Sequence, residues 1–433
     1  MSIHIVQKGD SLWAISQLYG VPIESIINVN RLVQNSRIIP GLALYIPDQT
    51  LPIRSKIIIP GDSIWKIAQQ YNTNVNLILL ANPSINPNNL YIGQKINIPS
   101  SQKLSMQTLG FIIPFNPDSF IPVLNQIAHN LTYLAVVSYS LTNEGSAYLT
   151  LDDTQIVAES KRLDVIPLLM IRNYADQKFS PELIGKVLEN PIYRQNLIKS
   201  IMNFITEKGY QGVSIDFEFI PPPRRNNFSQ FLHELKQALG SFILHVNVHA
   251  KTEDIPTNRI IGAYDYKAIG DAADIVAVMT IDYGYPTGPP NPVAPIWWIE
   301  EVIRYSISLI QPQKLQMALP LYGYDWRNID SFTSAISLLG AQNRAISTGA
   351  VINYDLHAAT PWYNYWIKQD KHTVWFDDIR SYSEKYKLID QYHLLGTTYW
   401  QLSLPFPQNW AYVEKNFIIT KDKRNRQCHP QQG

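Results

Sequence analysis

Two acids set two positions apart inside an apolar run are the sharpest chemical signal in this chain. The stretch "GVSIDFEFI", Gly212–Ile220, carries Asp216 and Glu218. In a β-strand successive side chains point to opposite faces, so Ser214, Asp216 and Glu218 share one face and Val213, Ile215 and Phe217 the other. Two carboxyls on one half-buried face oppose each other's ionisation, and the deeper one raises its neighbour's proton affinity. The pattern therefore predicts a proton donor, Glu218, supported from below by Asp216. The bland alternative is a buried pair neutralised by Arg or Lys. His245 and His249, four apart on the next predicted strand, have no carboxylate at matching spacing and read as core or cleft histidines rather than metal ligands. No cluster implies a metal or an organic cofactor. The one cysteine, Cys428, lies in a polar tail, 421–433, which excludes an intramolecular disulfide and a cysteine metal site.

What must position these acids is legible in the spacing of the apolar runs. Eight recur between residues 106 and 420: "QTLGFIIPF", "LTYLAVVSYS", "DVIPLLMIRNY", "GVSIDFEFI", "ILHVNVHAK", "DIVAVMTIDY", "LQMALPLYGY" and "LLGTTYWQLSLP". Stretches with helical spacing separate them, among them residues 182–210 and 226–240. Strands alternating with helices over this length predict an α/β fold, a parallel (β/α)8 TIM barrel. The acids then fall at the C-terminal end of the fourth strand, where such barrels build their sites. A doubly wound sheet would ordinarily carry a Gly-rich phosphate turn after an early strand, and none is present. The stretch from Asp325 to Leu388 is too long for a simple crossover and predicts an insertion on the same face.

The first hundred residues are a repeat. "KGDSLWAISQLYGV" returns as "PGDSIWKIAQQYNT", and the offset of 52 residues is kept by Gly9/Gly61, Trp13/Trp65, Tyr19/Tyr71, Asn30/Asn82, Gly41/Gly93 and Pro47/Pro99. Each copy reads strand, helix, helix, strand, giving βααβ units at 2–48 and 53–99 and a polar linker at 100–105. The tryptophans and asparagines read as residues that pack and cap a small core. Composition agrees with several folded units: 433 residues, 45% hydrophobic, 16% charged. A net charge of +1 gives no reason to expect nucleic acid or an acidic membrane as partner. The N-terminus lacks the pattern of a secretory signal, no apolar run is long enough to span a bilayer, and a monomer is expected.

The repeats resemble LysM modules, the small domains that bind N-acetylglucosamine-containing glycans. On that resemblance Gly9, Asp10, Asn30, Gly61, Asp62 and Asn82 are candidates for the glycan-binding rim. "GVSIDFE" resembles the DGxDxDxE signature of family 18 glycoside hydrolases. Together with "YGYPTGPPNPVAP", "LPLYGYDW", "VWFDD" and "YWQLSLPFPQNW", it looks like the spore-cortex-lytic N-acetylglucosaminidase branch of that family. The resemblance implies that Glu218 is the acid/base and that Asp216 orients the substrate's acetamido group, whose carbonyl oxygen replaces a protein nucleophile. It also implies that Asp282, in "MTID", contacts the reacting sugar, and that Trp400 is the floor beneath it. Ser214, Tyr283, Tyr322 and Tyr324 are further cleft candidates.

The chain departs from the signature at Gln211 and Ser214, where the family has Asp, and at Ile281, where it usually has Tyr. An isoleucine donates no hydroxyl to the acetamido group, and one missing hydrogen bond costs about 1–3 kcal/mol; Tyr283 is the nearby candidate to replace it. The implied partner is peptidoglycan or a related glycan, and the implied location is the spore coat or cortex. A chitin or general peptidoglycan hydrolase, and a glycan-binding coat protein with weak catalysis, are the other readings left open.

Overall fold

The computed structural model describes residues 2–33, 37–330 and 332–421; most of the polar tail, with Cys428, lies outside the described residues. Eight parallel strands close on themselves: Leu104–Ile112, Tyr133–Leu141, Ile166–Arg172, Gly212–Asp216, Ile243–His249, Ile275–Met279, Leu315–Pro320 and Gly396–Trp400. The eighth pairs with the first through Thr397↔Thr108, and the first with the second through Gly110↔Leu134, so no edge is left open. Each of the eight runs named from the sequence overlaps one of these strands, and six contain theirs whole.

The alternation along each strand separates two cores. Leu109, Phe111, Tyr133, Ala135, Leu168 and Met170 fill the barrel interior. Leu134, Val136, Leu169, Val213, Ile215 and Val246 face outward and pack under the surrounding helices. On strand four the split falls where the two-residue period puts it, with Val213, Ile215 and Phe217 outward and buried.

Residues 182–210 form two helices, Pro181–Glu189 and Pro191–Lys208, with Asn190 ending one and capping the next through a bond from Ile192 N. A proline at the first helical position has no N–H to lose there, so Asn190–Pro191 marks a start rather than a kink. The seventh apolar run likewise divides. Strand seven ends at Pro320, and Tyr322–Arg327 opens a separate antiparallel sheet with Phe332–Ser337, Asp370–Trp375, Thr360–Ile367 and Asn353–Asp355. This sheet and the helix Leu338–Thr348 are the insertion expected before strand eight.

Both N-terminal units are βααβ. The first pairs Ser2–Ile5 with Ala43–Ile46 around helices Leu12–Tyr19 and Ile23–Asn30. The second pairs Ile53–Ile57 with Lys95–Pro99 around Ile64–Gln70 and Val75–Leu80. Their first helices are capped by Ser11 and Ser63, whose hydroxyls accept from Ala14 N and Lys66 N. The preceding acids instead close the turns: Asp10 accepts from Gln7 N and Asp62 from Ile59 N.

Both units dock on the barrel. In the first, Tyr45 OH donates to Ala411 O, Gln342 Nε2 to Asn30 O, and Lys415 pairs with Asp48 at 3.1 Å. In the second, Arg54 grips Asp390 with two bonds of 2.8 Å, and Asp390 also accepts from Ser55 N. Lys95 reaches Glu300 at 2.6 Å.

Candidate active site

Strand four delivers Asp216 as its last residue, and the chain then turns so that Glu218 stands two positions further out. Two brackets hold this turn. The buried Asn173, just beyond strand three, receives Glu218 N on its Oδ1 at 2.8 Å and donates Nδ2 to Glu218 O at 2.9 Å. Tyr264 OH donates to Phe217 O at 2.7 Å. The next residue, Phe219, is in the left-handed region at φ 55°. A bulky side chain rarely adopts that conformation, and the surrounding bonds over-determine it.

Asp216 is buried beside Arg172, its register partner on strand three. Burial pushes the Asp216 carboxyl well above the usual range, the Glu218 charge pushes it further, and Arg172 pulls it back. The carboxyl of Glu218 is more open, and His249 Nε2 from the end of strand five lies 3.4 Å from its Oε2. The His249 ring also packs on Phe219 and Tyr264.

The third carboxyl, Asp282, follows strand six at φ 59° and stands at the open mouth, walled by two phenols. Its Oδ1 accepts from Tyr322 OH at 2.6 Å and from Tyr324 OH at 2.9 Å. Burial of the carboxyl raises its pKa, the two hydroxyls lower it, and Glu218 adds a further rise. Trp400 ends strand eight, half-buried, with its ring 5.4 Å from Phe111. It bridges the barrel interior and the cluster of Val293, Tyr322, Tyr324 and Trp326.

Of the residues proposed from sequence, the structure thus gathers Asp216, Glu218, Asp282, Tyr322, Tyr324 and Trp400 at one end of the barrel. Ser214 is a correction. It is fully buried one layer below the acids, 2.9 Å from His245 Nδ1 and accepting from Asn247 Nδ2, so it supports the site's floor and meets no substrate. His245 belongs to that floor, its pKa pushed down to about 3 by burial. Tyr283 turns its ring onto Trp297 and Trp298 at 5.2 and 5.4 Å; the hydroxyls beside Asp282 come from Tyr322 and Tyr324.

In the modules, Asn30 and Asn82 are also corrected. Asn30 is buried, with Nδ2 on Ile26 O and Tyr45 O and its Oδ1 accepting from Tyr45 N. Asn82 repeats the clamp with Ile78 O, Asn97 O and Asn97 N. Both tie a helix end to the last strand and are not on a rim. Trp13 and Trp65 do not pack a core: they are 66% and 65% exposed. Gly9, Asp10, Gly61 and Asp62 stand on the outer turns.

Arg172, Asn173 and the proximity of His249 to Glu218 were not foreseen. The signal for the first two was present in "MIRNY", where an apolar strand ends on two polar side chains at the level of the acids.

Three carboxyls gathered with Trp400 at the mouth of a closed parallel barrel are the kind of arrangement found in barrel glycosidases. Comparison with known proteins narrows this. The chain belongs to glycosyl hydrolases family 18, whose sequence profile matches residues 175–404, and it carries LysM domains at 4–47 and 57–99. A Bacillus subtilis (strain 168) protein bearing the name of a sporulation-specific glycosylase, YdhD, is 35% identical over 97% of this chain and 100% of its own. The cortical fragment-lytic enzyme of Bacillus anthracis is 30% identical over 97% of this chain and 99% of its own. The crystal structure of the Bacillus cereus spore cortex-lytic enzyme SleL superposes with a TM-score of 0.85 at 30% identity, covering 97% and 98% of the two chains. The protein is a glycosidase with two LysM modules.

Proposed function

We propose that the protein cleaves the β-1,4 bond following N-acetylglucosamine in spore cortex peptidoglycan, by a retaining, substrate-assisted route, and that it acts in the spore coat or cortex. The observation that carries this is the stacked acid pair, a buried Asp216 whose pKa is raised by burial and by the Glu218 charge, beneath a more open Glu218. Glu218 gives its proton to the glycosidic oxygen as the C1–O bond breaks. The acetamido carbonyl oxygen of the same sugar attacks C1, forming a bicyclic oxazolinium. The Asp216 carboxyl holds the amide N–H so that its oxygen stays aimed at C1. Water then adds to C1 from the leaving-group side, Glu218 takes its proton, and the ring opens with configuration retained.

This route requires a free 2-acetamido group on the sugar whose bond is cut. In muramic δ-lactam the amide is closed into a ring and its oxygen cannot reach C1, so cleavage falls after N-acetylglucosamine. Tyr322 and Tyr324 both hold Asp282 by Oδ1. The LysM modules keep the enzyme on insoluble glycan and raise its effective concentration there.

The test is digestion of purified cortex fragments with the wild type and with Glu218→Gln, followed by mass analysis of reducing ends. Loss of a general acid lowers the rate by about 10²–10⁴-fold. New reducing-end N-acetylglucosamine from the wild type alone supports the reading. New muramic ends overturn the bond, activity on chitin oligomers but not cortex overturns the substrate, and retained activity in Glu218→Gln overturns the acid.

A further inference from the structure

The two LysM modules share a sequence pattern but not a setting. In the first, the turn after the opening strand and the segment before the closing strand border a cleft of about 520 Å³. Two of its lining residues, Ile346 and Gly349, come from the insertion in the hydrolase barrel, at the end of helix Leu338–Thr348. The remaining lining falls into two kinds. Gln7, Lys8, Asp10, Ser11 and Arg37 supply polar groups beside the Gly9 backbone, while Leu12, Ile38, Ile39 and Pro40 supply an apolar wall. A cleft of this size, about equally polar and apolar, offers hydrogen-bonding groups on one side and an apolar wall on the other, as a small saccharide bearing an acetamido methyl requires.

The shared wall is fixed. Ile352 N donates to Pro40 O at 3.1 Å, and a Cβ on Gly41, which stands at φ 85°, would lie 1.8 Å from Ile352 O. Only glycine permits that approach. The second module shows what the first would be without the insertion. A Cβ on its equivalent glycine, Gly93, would meet nothing within 4 Å. Ile39, 3% exposed, corresponds to Tyr91, 66% exposed, and Pro40 corresponds to the exposed Ile92. On the first module Asp10 remains ionised, its carboxyl held below the usual range by the Gln7 N–H and His4.

We propose that the first LysM groove is a composite site, in which an N-acetylhexosamine chain is held between module 1 and residues Ile346 and Gly349 of the catalytic domain's insertion, whereas module 2 binds the same class of glycan alone. This rests on the glycan-binding reading given above. It makes the two modules unequal: one holds glycan as part of the catalytic body, the other as an independent grip.

The test uses the full chain carrying Glu218→Gln, with isoleucine methyl groups labelled for NMR and a tetramer of N-acetylglucosamine as probe. Ile38 reports on module 1, Ile92 on module 2, Ile281 on the catalytic cleft and Ile346 on the insertion. The expected result is that Ile346 and Ile38 shift together with one midpoint, distinct from those of Ile92 and Ile281. Adding Ile346→Asp, which puts a charged group into the apolar wall of the cleft that Asp10 also lines, weakens the Ile38 midpoint about tenfold or more and leaves Ile92 unchanged. Ile346→Ala, which removes only the wall, gives a smaller loss in the same direction. A shift at Ile38 with none at Ile346, or an Ile38 midpoint indifferent to both substitutions, overturns the composite site. Silence at both Ile38 and Ile92 while Ile281 responds overturns instead the glycan-binding reading of the modules.

Discussion

Replacing Asp216 by asparagine should destroy activity and yet make the protein more resistant to unfolding as the pH rises. Burial and the neighbouring Glu218 lift the Asp216 pKa well above its ordinary value, with Arg172 only partly offsetting them. Between the unfolded value, about 4, and the raised folded value, the folded chain holds a proton that the unfolded chain has released. Stability from this group is therefore full below the unfolded pKa and is lost as pH climbs through that window. The slope for one proton is about 1.4 kcal/mol per pH unit. Asparagine keeps the shape and carries no titrating proton, so the difference between Asp216→Asn and wild type grows by that slope and levels off above the folded pKa. For a barrel of roughly 300 residues, 1.4 kcal/mol corresponds to about 2 °C in Tm. Equilibrium urea unfolding of both proteins from pH 4 to 8, with thermal melts alongside, measures it. Titrations of groups remote from Asp216 cancel in the difference; that of Glu218, which interacts with it, does not. Glu218→Gln is the companion: it removes the second cause of the rise, so the upper end of the window moves to lower pH. A difference that is flat across this range, or one in which the asparagine variant loses ground as pH rises, would refute the account of Asp216 as an acid kept protonated by its burial.

Two further expectations follow from the third carboxyl and from the module interface. Tyr324→Phe removes one of two hydroxyls that lower the Asp282 pKa, so that group rises further and the acidic limb of the pH–rate profile moves to higher pH; a bond to a charged group is worth about 1.5–3 kcal/mol, hence a ten- to hundredfold loss in kcat/KM. An unmoved limb would show that Asp282 does not act ionised. Asp390→Ala strands Arg54 and Ser55 N at the second module's contact with the barrel. Breaking one side of a buried pair costs about 3–5 kcal/mol, so trypsin should cut at Lys103, within the linker, faster than in wild type, while turnover of short soluble oligomers stays the same. Equal cutting rates would mean that the module is held by other contacts.

The barrel was legible because its strands are buried on both faces and so read as separated apolar runs, and because the two-residue period assigns inside and outside unaided. What the period cannot supply is depth. Ser214 and Asp216 share a face, but Ser214 lies one layer lower, where His245 and Asn247 occupy its hydroxyl. The aromatic continuity of "LQMALPLYGY" concealed that the chain leaves one sheet at Pro320 and enters another at Tyr322. In the modules an asparagine at a helix end serves equally well as an exposed ligand or as an internal clamp, and only the position of the last strand decided for Asn30 and Asn82. The exposed Trp13 and Trp65 mislead in the opposite sense, since large rings are usually core. For Asn173 the strand end in "MIRNY" shows a polar side chain at the right level, but not its role: it works through the backbone of Glu218, a partner 45 residues away.

The docking of both modules on the barrel sets how such an enzyme measures its substrate. A glycosidase on a floppy tether samples every bond within a sphere, and its products have no preferred length. Here Gly41 is seated against Ile352, and Arg54 is clasped by Asp390. With the modules holding glycan as proposed, the span from a held sugar to the severed bond would be a constant of the protein, and the molecule would act as a caliper laid on the glycan. Searching is left to the slack of the polymer, and fragment lengths should cluster at the span the caliper allows.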